Sequence, residues 1–213
     1  MSDAYLTLSK TSTAEFKDRG SKFIGYLFPM EDESIFNRMM QELRSQNIKA
    51  GHFCWAYRLR DGINRSSDDG EPSGSAGKPI LNQLLSNALV DTGCIVIRYW
   101  GGTKLGVSGL INAYKTAAKS AIADANIITK YETGILRVEF DYSIMGKIMD
   151  AVKALELNIT EKHLDASPAL IVEVNLSELA MTVLKIKAKM LGRAIEDVDE
   201  ETTVASLSII QQS

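Results

Sequence analysis

Apolar and polar positions alternate through two early runs, Tyr5 to Ser9 and Ala14 to Met30, the second broken by KDRGSK, where Gly20 supplies a turn. That pattern predicts a β-hairpin. Between Asp32 and Gln46, Ile35, Met39 and Leu43 fall on one helical face and Arg38, Glu42 and Arg44 fall elsewhere, with Asp32 or Ser34 standing where a cap belongs. His52 to Leu59 (HFCWAYRL) reads as a strand that turns His52, Cys54, Ala56 and Arg58 to one side and Phe53, Trp55, Tyr57 and Leu59 to the other. Pro79 suits the first turn of a helix, where its missing N–H costs nothing, and Leu81, Leu84, Leu85 and Ala88 form that helix's apolar stripe. Cys94 to Trp100 (CIVIRYW) is apolar almost throughout, as in a strand covered on both faces; Arg98 is the exception. A further helix is expected from about Gly109 to Asn126, with Leu110, Ala113, Ala117 and Ala121 along one side.

From Thr133 the pattern resets, which divides the chain into segments 1–131 and 132–213. Leu136, Val138 and Phe140 alternate with charged residues, Ser143 can cap a helix carrying Ile144, Ile148, Val152 and Leu155, and Asn158 to Asp165 and Leu170 to Leu176 read as strands joined around Pro168. Leu179, Val183, Ile186 and Met190 define a helix ending at Gly192, and Val204 to Ile210 reads as a last strand. The order β-α-β-β-α-β is that of the ferredoxin-like split βαβ unit, so the expected class is α+β. A fold shared by many functions settles none.

Two stretches resist any regular pattern. Ser67 to Leu81 (SDDGEPSGSAGKPIL) crowds carboxylates, glycines and prolines between apolar runs, and Trp100 to Gly109 (WGGTKLGVSG) follows a strand and opens a helix. We read them as shaped loops forming opposite walls of one site. The first looks like a phosphate-binding P-loop by composition but not by spacing: Pro72 stands where the first glycine belongs, and Pro79 follows Lys78 where a hydroxyl is required. In the second, Gly101, Gly102, Gly106 and Gly109 do not make G-x-G-x-x-G. Its context suits either backbone amides aimed at an anion or a tight turn needed for packing.

Asp68, Asp69 and Glu71 admit two readings, a Mg²⁺ site or a loop capping its own amides. His52 is either a general base oriented by Asp68 or Asp69, or a satisfied half-buried histidine; His163, the other histidine, is predicted in the other domain, and nothing suggests zinc. Ser73, Ser75 and Ser108 lie in no nucleophile elbow. Lys78, Arg98 and Lys104 are candidate contacts for phosphate, with the amides of Gly101, Gly102 and Gly106, and Tyr99 or Trp100 offers a ring for stacking on a base.

Composition narrows these choices only slightly. The formal charge of −3 argues against a dedicated nucleic-acid binder, but residues 1–131 carry 16 Lys and Arg against 13 Asp and Glu, and the remainder 8 against 14, so any polyanion contact belongs to the first half. Cys54 and Cys94 lie in apolar strands and are expected as reduced core thiols, no run is long enough to span a bilayer, and the cytoplasm is the default location.

The HFCWAYR strand, the SDDGEPSGSAGKPIL loop and the VIRYWGGTKLGVSGLINAY segment together closely resemble the YigZ/IMPACT family, and the second half is similar to the extra domain of its bacterial members. The resemblance implies a ribosomal-protein-type α/β first domain with a left-handed βαβ crossover, and a second domain like the small domains of elongation factor G. It also implies a role in translation: eukaryotic members compete for the activator of a starvation-sensing kinase, and nucleic-acid binding is expected of bacterial ones. The expectation is therefore a regulator that binds RNA or a ribosomal partner without turnover and needs no cofactor. Two rivals stand beside it: an enzyme acting on a phosphorylated or carboxylated small molecule through His52, Asp68, Asp69 and Glu71, and a protein-interaction module.

Overall fold

The computed structural model describes residues 3–212. They form two units: residues 5–130, and residues 3–4 with 131–212. In the first, strands β2 (Ser12–Asp18), β3 (Ser21–Pro29), β6 (Thr92–Tyr99), β4 (His52–Arg58) and β5 (Asn64–Ser67) lie side by side in that order, every neighbouring pair antiparallel. Strands β3 and β4 are therefore parallel to one another with β6 between them, and helix α1 (Glu33–Gln46) makes the crossover. Asp32 starts that helix by accepting from the amides of Ser34 and Ile35 at 2.7 and 3.2 Å.

Both faces of this sheet are covered, and the strand alternation decides which side chain meets which layer. Phe53, Tyr57, Ile95 and Ile97 join Phe36 and Leu43 of α1 in one core. Cys54, Ala56, Cys94 and Val96 face the other way, against α2 (Gly77–Ser86) and α3 (Gly106–Ala123). Both cysteines are buried free thiols, and burial pushes that of Cys94 up to about 12. Helix α3 presents Ala113, Ala117 and Ala121 to the sheet, so backbones approach closely: a Cβ on Gly25 of β3 would lie 2.8 Å from the Ala117 carbonyl oxygen.

In the second unit, β8 (Thr133–Phe140), β9 (Asn158–His163), β10 (Ala169–Asn175) and β11 (Leu207–Gln212) form an antiparallel sheet in the order β11-β8-β10-β9. Leu136, Val138, Leu170 and Val172 pack with Ile148 and Val152 of α4 (Met145–Ala154) and Ile186 of α5 (Leu179–Leu191). Gly192 closes α5 in the left-handed conformation, φ 64°.

Several elements depart from the expected bounds. Helix α3 starts at Gly106 rather than Gly109, because that glycine, at φ 73°, completes the exit from the loop and the helix follows at once. Ser143 caps nothing: it lies in a short 3₁₀ turn, Tyr142–Ile144, ahead of α4. The last strand begins at Leu207 rather than Val204 because the Leu207 amide closes a turn on the Val204 carbonyl at 3.2 Å, with Ser206 at φ 62°. Strand β1 (Ala4–Leu8) matches the run expected from Tyr5 to Ser9, but strand β5, strand β7 (Ile127–Tyr131) and the pairing of β1 with β7 in a two-stranded ribbon have no counterpart in the sequence pattern.

Candidate functional site

The stretch from Ser67 onward is organised by Asp68. Its Oδ1 accepts from the amides of Ala76 and Gly77 at 2.9 and 2.8 Å, and its Oδ2 from the amide of Gly74 at 2.8 Å. The residue thus caps α2 from eight positions upstream, replacing the side-chain cap that Ala76 cannot provide. Burial works to raise its pKa, but the three amide donors outweigh that and hold the carboxyl below its ordinary value. Gly77 is required here because a Cβ would sit 2.7 Å from the backbone of Ser67.

Asp69 is strained into positive φ, 41°, and spends both oxygens on neighbours: Oδ2 accepts from the Phe53 amide at 2.7 Å and Oδ1 from Arg44 at 3.0 Å. The chain then turns through Gly70, φ 84°, and delivers Glu71 inward. Glu71 Oε1 accepts from Arg98 Nη1 at 2.6 Å and from the Tyr114 hydroxyl at 2.8 Å, in a side chain only 4% exposed. Burial pushes the Tyr114 phenol well above its usual range, so it stays a donor.

Register brings the third element in. His52 on β4 pairs directly with Arg98 on β6, and both face the α3 side of the sheet. His52 Nδ1 lies 2.9 Å from the carbonyl oxygen of Asp69; a carbonyl only accepts, so Nδ1 carries the proton. The other ring nitrogen, Nε2, is left 3.9 Å from Glu71 Oε1. Arg98 also lies over the ring of Phe23, 5.6 Å from its centroid, and its buried Nε has no hydrogen-bond partner.

These groups form the inner wall of a pocket of about 430 Å³. Pro72, Leu105, Val107 and Leu110 supply apolar surface, Lys104 a cation, and Trp100, 65% exposed, a ring at its edge. Gly106 and Val107, which begin α3, complete the lining. The two irregular loops do converge on one cavity.

Of the candidate residues, His52, Glu71, Arg98, Lys104 and Gly106 line it together. Asp68 and Asp69 hold backbone and Arg44 instead of facing a ligand, so a Mg²⁺ ion there would have to displace those donors. Among the described residues no group of three or more His, Cys, Asp or Glu side chains is placed to hold a metal ion. Tyr99 points to the opposite face, where its hydroxyl donates to Asn47 at 2.7 Å and Lys22 lies over its ring. Lys78 is exposed on α2 outside the pocket. Gly101 is a packing glycine: its amide donates to Ser21, and a Cβ would come 1.9 Å from the Gly20 carbonyl carbon. Gly102 turns the loop at φ 84° into open space. Tyr114, at the end of the VIRYWGGTKLGVSGLINAY segment that carries the family resemblance, joins the site from α3, where the sequence assigns it no binding or catalytic role.

Comparison with known proteins adds relatives to this geometry. A family model described as the Impact N-terminal domain matches residues 19–122, which contain the whole pocket. A solved hypothetical protein, 23% identical, superposes with a TM-score of 0.69 over 99% of this chain and 97% of its own, a likeness of fold. A Haemophilus influenzae IMPACT family member is 27% identical over 90% of this chain and 95% of its own. The Bacillus subtilis IMPACT family member YvyE is 33% identical over 165 residues, 76% of each chain. At that identity and coverage, the chain belongs to the IMPACT family.

Proposed function

We propose that this protein binds single-stranded RNA at the pocket between the two loops and regulates translation by doing so, without chemical turnover. The observation that carries this reading is the pairing of an exposed aromatic ring, Trp100, with Lys104 and the start of α3 around one cavity. Unpaired bases stack on such rings, while phosphates are met by cations and by helix N-terminal amides. The translational role comes from the family resemblance. With it come two finer readings: a first domain of ribosomal-protein type with a left-handed crossover, and a second of ferredoxin-like type similar to elongation-factor small domains, in a cytoplasmic protein. The strand order β11-β8-β10-β9, with its two helical crossovers, supports the second.

Fluorescence anisotropy with short RNAs and ribosomal RNA fragments at rising salt tests it. Affinity falls linearly with salt on logarithmic axes, and Lys104→Ala lowers the slope by about one unit. Trp100→Ala weakens binding by about 1–3 kcal/mol without altering stability, because the ring is exposed. Absence of any salt-sensitive affinity for RNA or ribosomes would remove the reading.

One observation favours a second reading, an enzyme. His52 holds its Nδ1 proton on a carbonyl and keeps Nε2 beside Glu71 in the pocket, the posture of an oriented general base. On that reading His52→Ala abolishes turnover of a phosphorylated or carboxylated substrate; on the binding reading no turnover exists to lose.

A further inference from the structure

The second unit leaves one sheet edge open. Among the described residues the two larger sheets end in four strands. Strand β2 carries Glu15, Lys17 and Asp18, β5 is four residues long and holds Arg65, and β9 carries Glu161 and Lys162 beside a bulge at Ile171/Val172 of its neighbour. Charges, short length and bulges stop an edge from recruiting another strand. Strand β11 (LSIIQQ) is six residues long without a charge or a bulge. The Asp141 amide donates to the Ser206 carbonyl at 3.1 Å, and from there the register with β8 runs unbroken to Gln212 opposite Ile135. In an antiparallel pair, alternate residues exchange both hydrogen bonds with the residues opposite them. Ser208, Ile210 and Gln212 therefore bond to β8, while Ile209 and Gln211 turn amide and carbonyl to the open side. The side chains of Ile209 and Gln211, with Leu207, line a groove of about 630 Å³ between β11 and α5, whose other walls include Val183, Leu184 and Val204. A residue laid opposite Ile209 would make two backbone hydrogen bonds and drop its side chain into that groove.

The surrounding charge selects the occupant. Residues 196–201 (EDVDEE) expose Glu196, Asp197, Asp199, Glu200 and Glu201, and Glu200 lines the groove. Lys187 of α5, which also lines it, donates to the Asp199 and Glu200 carbonyls at 3.4 and 2.7 Å and ties the acidic run to the groove's rim. Residues 132–213 carry 8 Lys and Arg against 14 Asp and Glu, a balance that repels both nucleic acid and a second copy of the same surface. We propose that β11 and this groove are the docking site for an extended basic segment of another protein, which adds antiparallel to β11 as a fifth strand. Alternate apolar side chains of that segment enter the groove beside Leu207 and Ile209, and its flanking Lys or Arg residues meet the carboxylates of residues 196–201. The site uses residues of the second unit only, so it holds whether or not the first unit binds RNA.

The test uses the full chain and a fluorescein-labelled peptide, Lys-Lys-Val-Thr-Val-Thr-Val-Lys-Lys, beside two companions: one with every Lys replaced by Glu, one with the central Val replaced by Pro. By anisotropy the basic peptide binds about tenfold or more tightly than either companion. Gln211→Pro deletes an N–H that faces the open side and spares the ladder to β8, and it weakens the basic peptide about tenfold. Glu200→Gln combined with Glu201→Gln weakens it as well, whereas Glu161→Gln on β9 leaves it unchanged. Amide exchange followed by NMR slows at Ile209 when the peptide binds, and circular dichroism melts confirm that the variants fold. No binding of the basic peptide overturns the inference, as does equal binding of the acidic one. Affinity that survives Gln211→Pro, or exchange at Ile209 that does not change, shows that the peptide lies elsewhere and overturns it too. Sedimentation of the protein alone as a dimer that Gln211→Pro dissociates would give the edge to a second copy and overturn it likewise.

Discussion

Asp68 shows how one carboxylate can define a loop. Three amides converge on it from six, eight and nine residues downstream, so its charge closes the turn and starts α2 at the same time. Asp68→Asn keeps the size of the side chain but sets an NH₂ group against at least one of those N–H donors. The expected loss is about 2–4 kcal/mol in urea unfolding at neutral pH. Because the folded-state pKa is depressed, the stabilisation is fully present above the ordinary value of 3.8 and is lost as pH falls through the lower folded value. The variant's stability therefore falls less steeply than the wild type's over that acid range. Identical urea midpoints for the two proteins would mean that the amides are satisfied some other way.

Among elements, the contact between the β2–β3 turn and the loop after β6 decides where the pocket's edge stands. Gly20 and Gly101 meet backbone to backbone, and the Gly101 amide donates to Ser21 at 3.2 Å. Gly101→Ala forces the strands and the loop apart, since no side-chain motion relieves a Cβ 1.9 Å from a carbonyl carbon; we expect a loss of about 3 kcal/mol or more. Gly102→Ala next to it meets nothing within 4 Å and costs about 1 kcal/mol, from its positive φ alone. Thermal melts of the pair, compared side by side, separate steric contact from backbone conformation; equal losses would refute the steric account.

For the whole molecule, each unit carries its own core, and the pocket draws only on residues 52–110. No helix among the described residues is long and apolar enough to cross a membrane. A fragment comprising residues 1–131 keeps both layers of the first sheet, and is expected to unfold cooperatively and, on the proposed RNA-binding reading, to bind RNA as the full chain does. Dispersed amide resonances and a sigmoidal melt check the first expectation, anisotropy the second. A fragment without cooperative unfolding would show that its stability depends on the rest of the chain.

The sequence alone determined what local periodicity and chemistry encode: the hairpin at Gly20, a capped helix starting at Asp32 or Ser34, the sidedness of His52 to Leu59, the fully covered strand holding Arg98, and the β-α-β-β-α-β order after residue 133. These depend on neighbours two to four positions away, which any reader of the chain can count. Tertiary structure alone decided which polar groups face the pocket. Antiparallel register set His52 opposite Arg98, and the fold of the acidic loop turned Glu71 inward while consuming Asp68 and Asp69 on amides and Arg44. The alternation that put Arg98 on the α3 side sent Tyr99 to the other. Tyr114 reaches Glu71 across 43 positions of sequence, a pairing with no local signature, because its distance along the chain is unrelated to its distance in space.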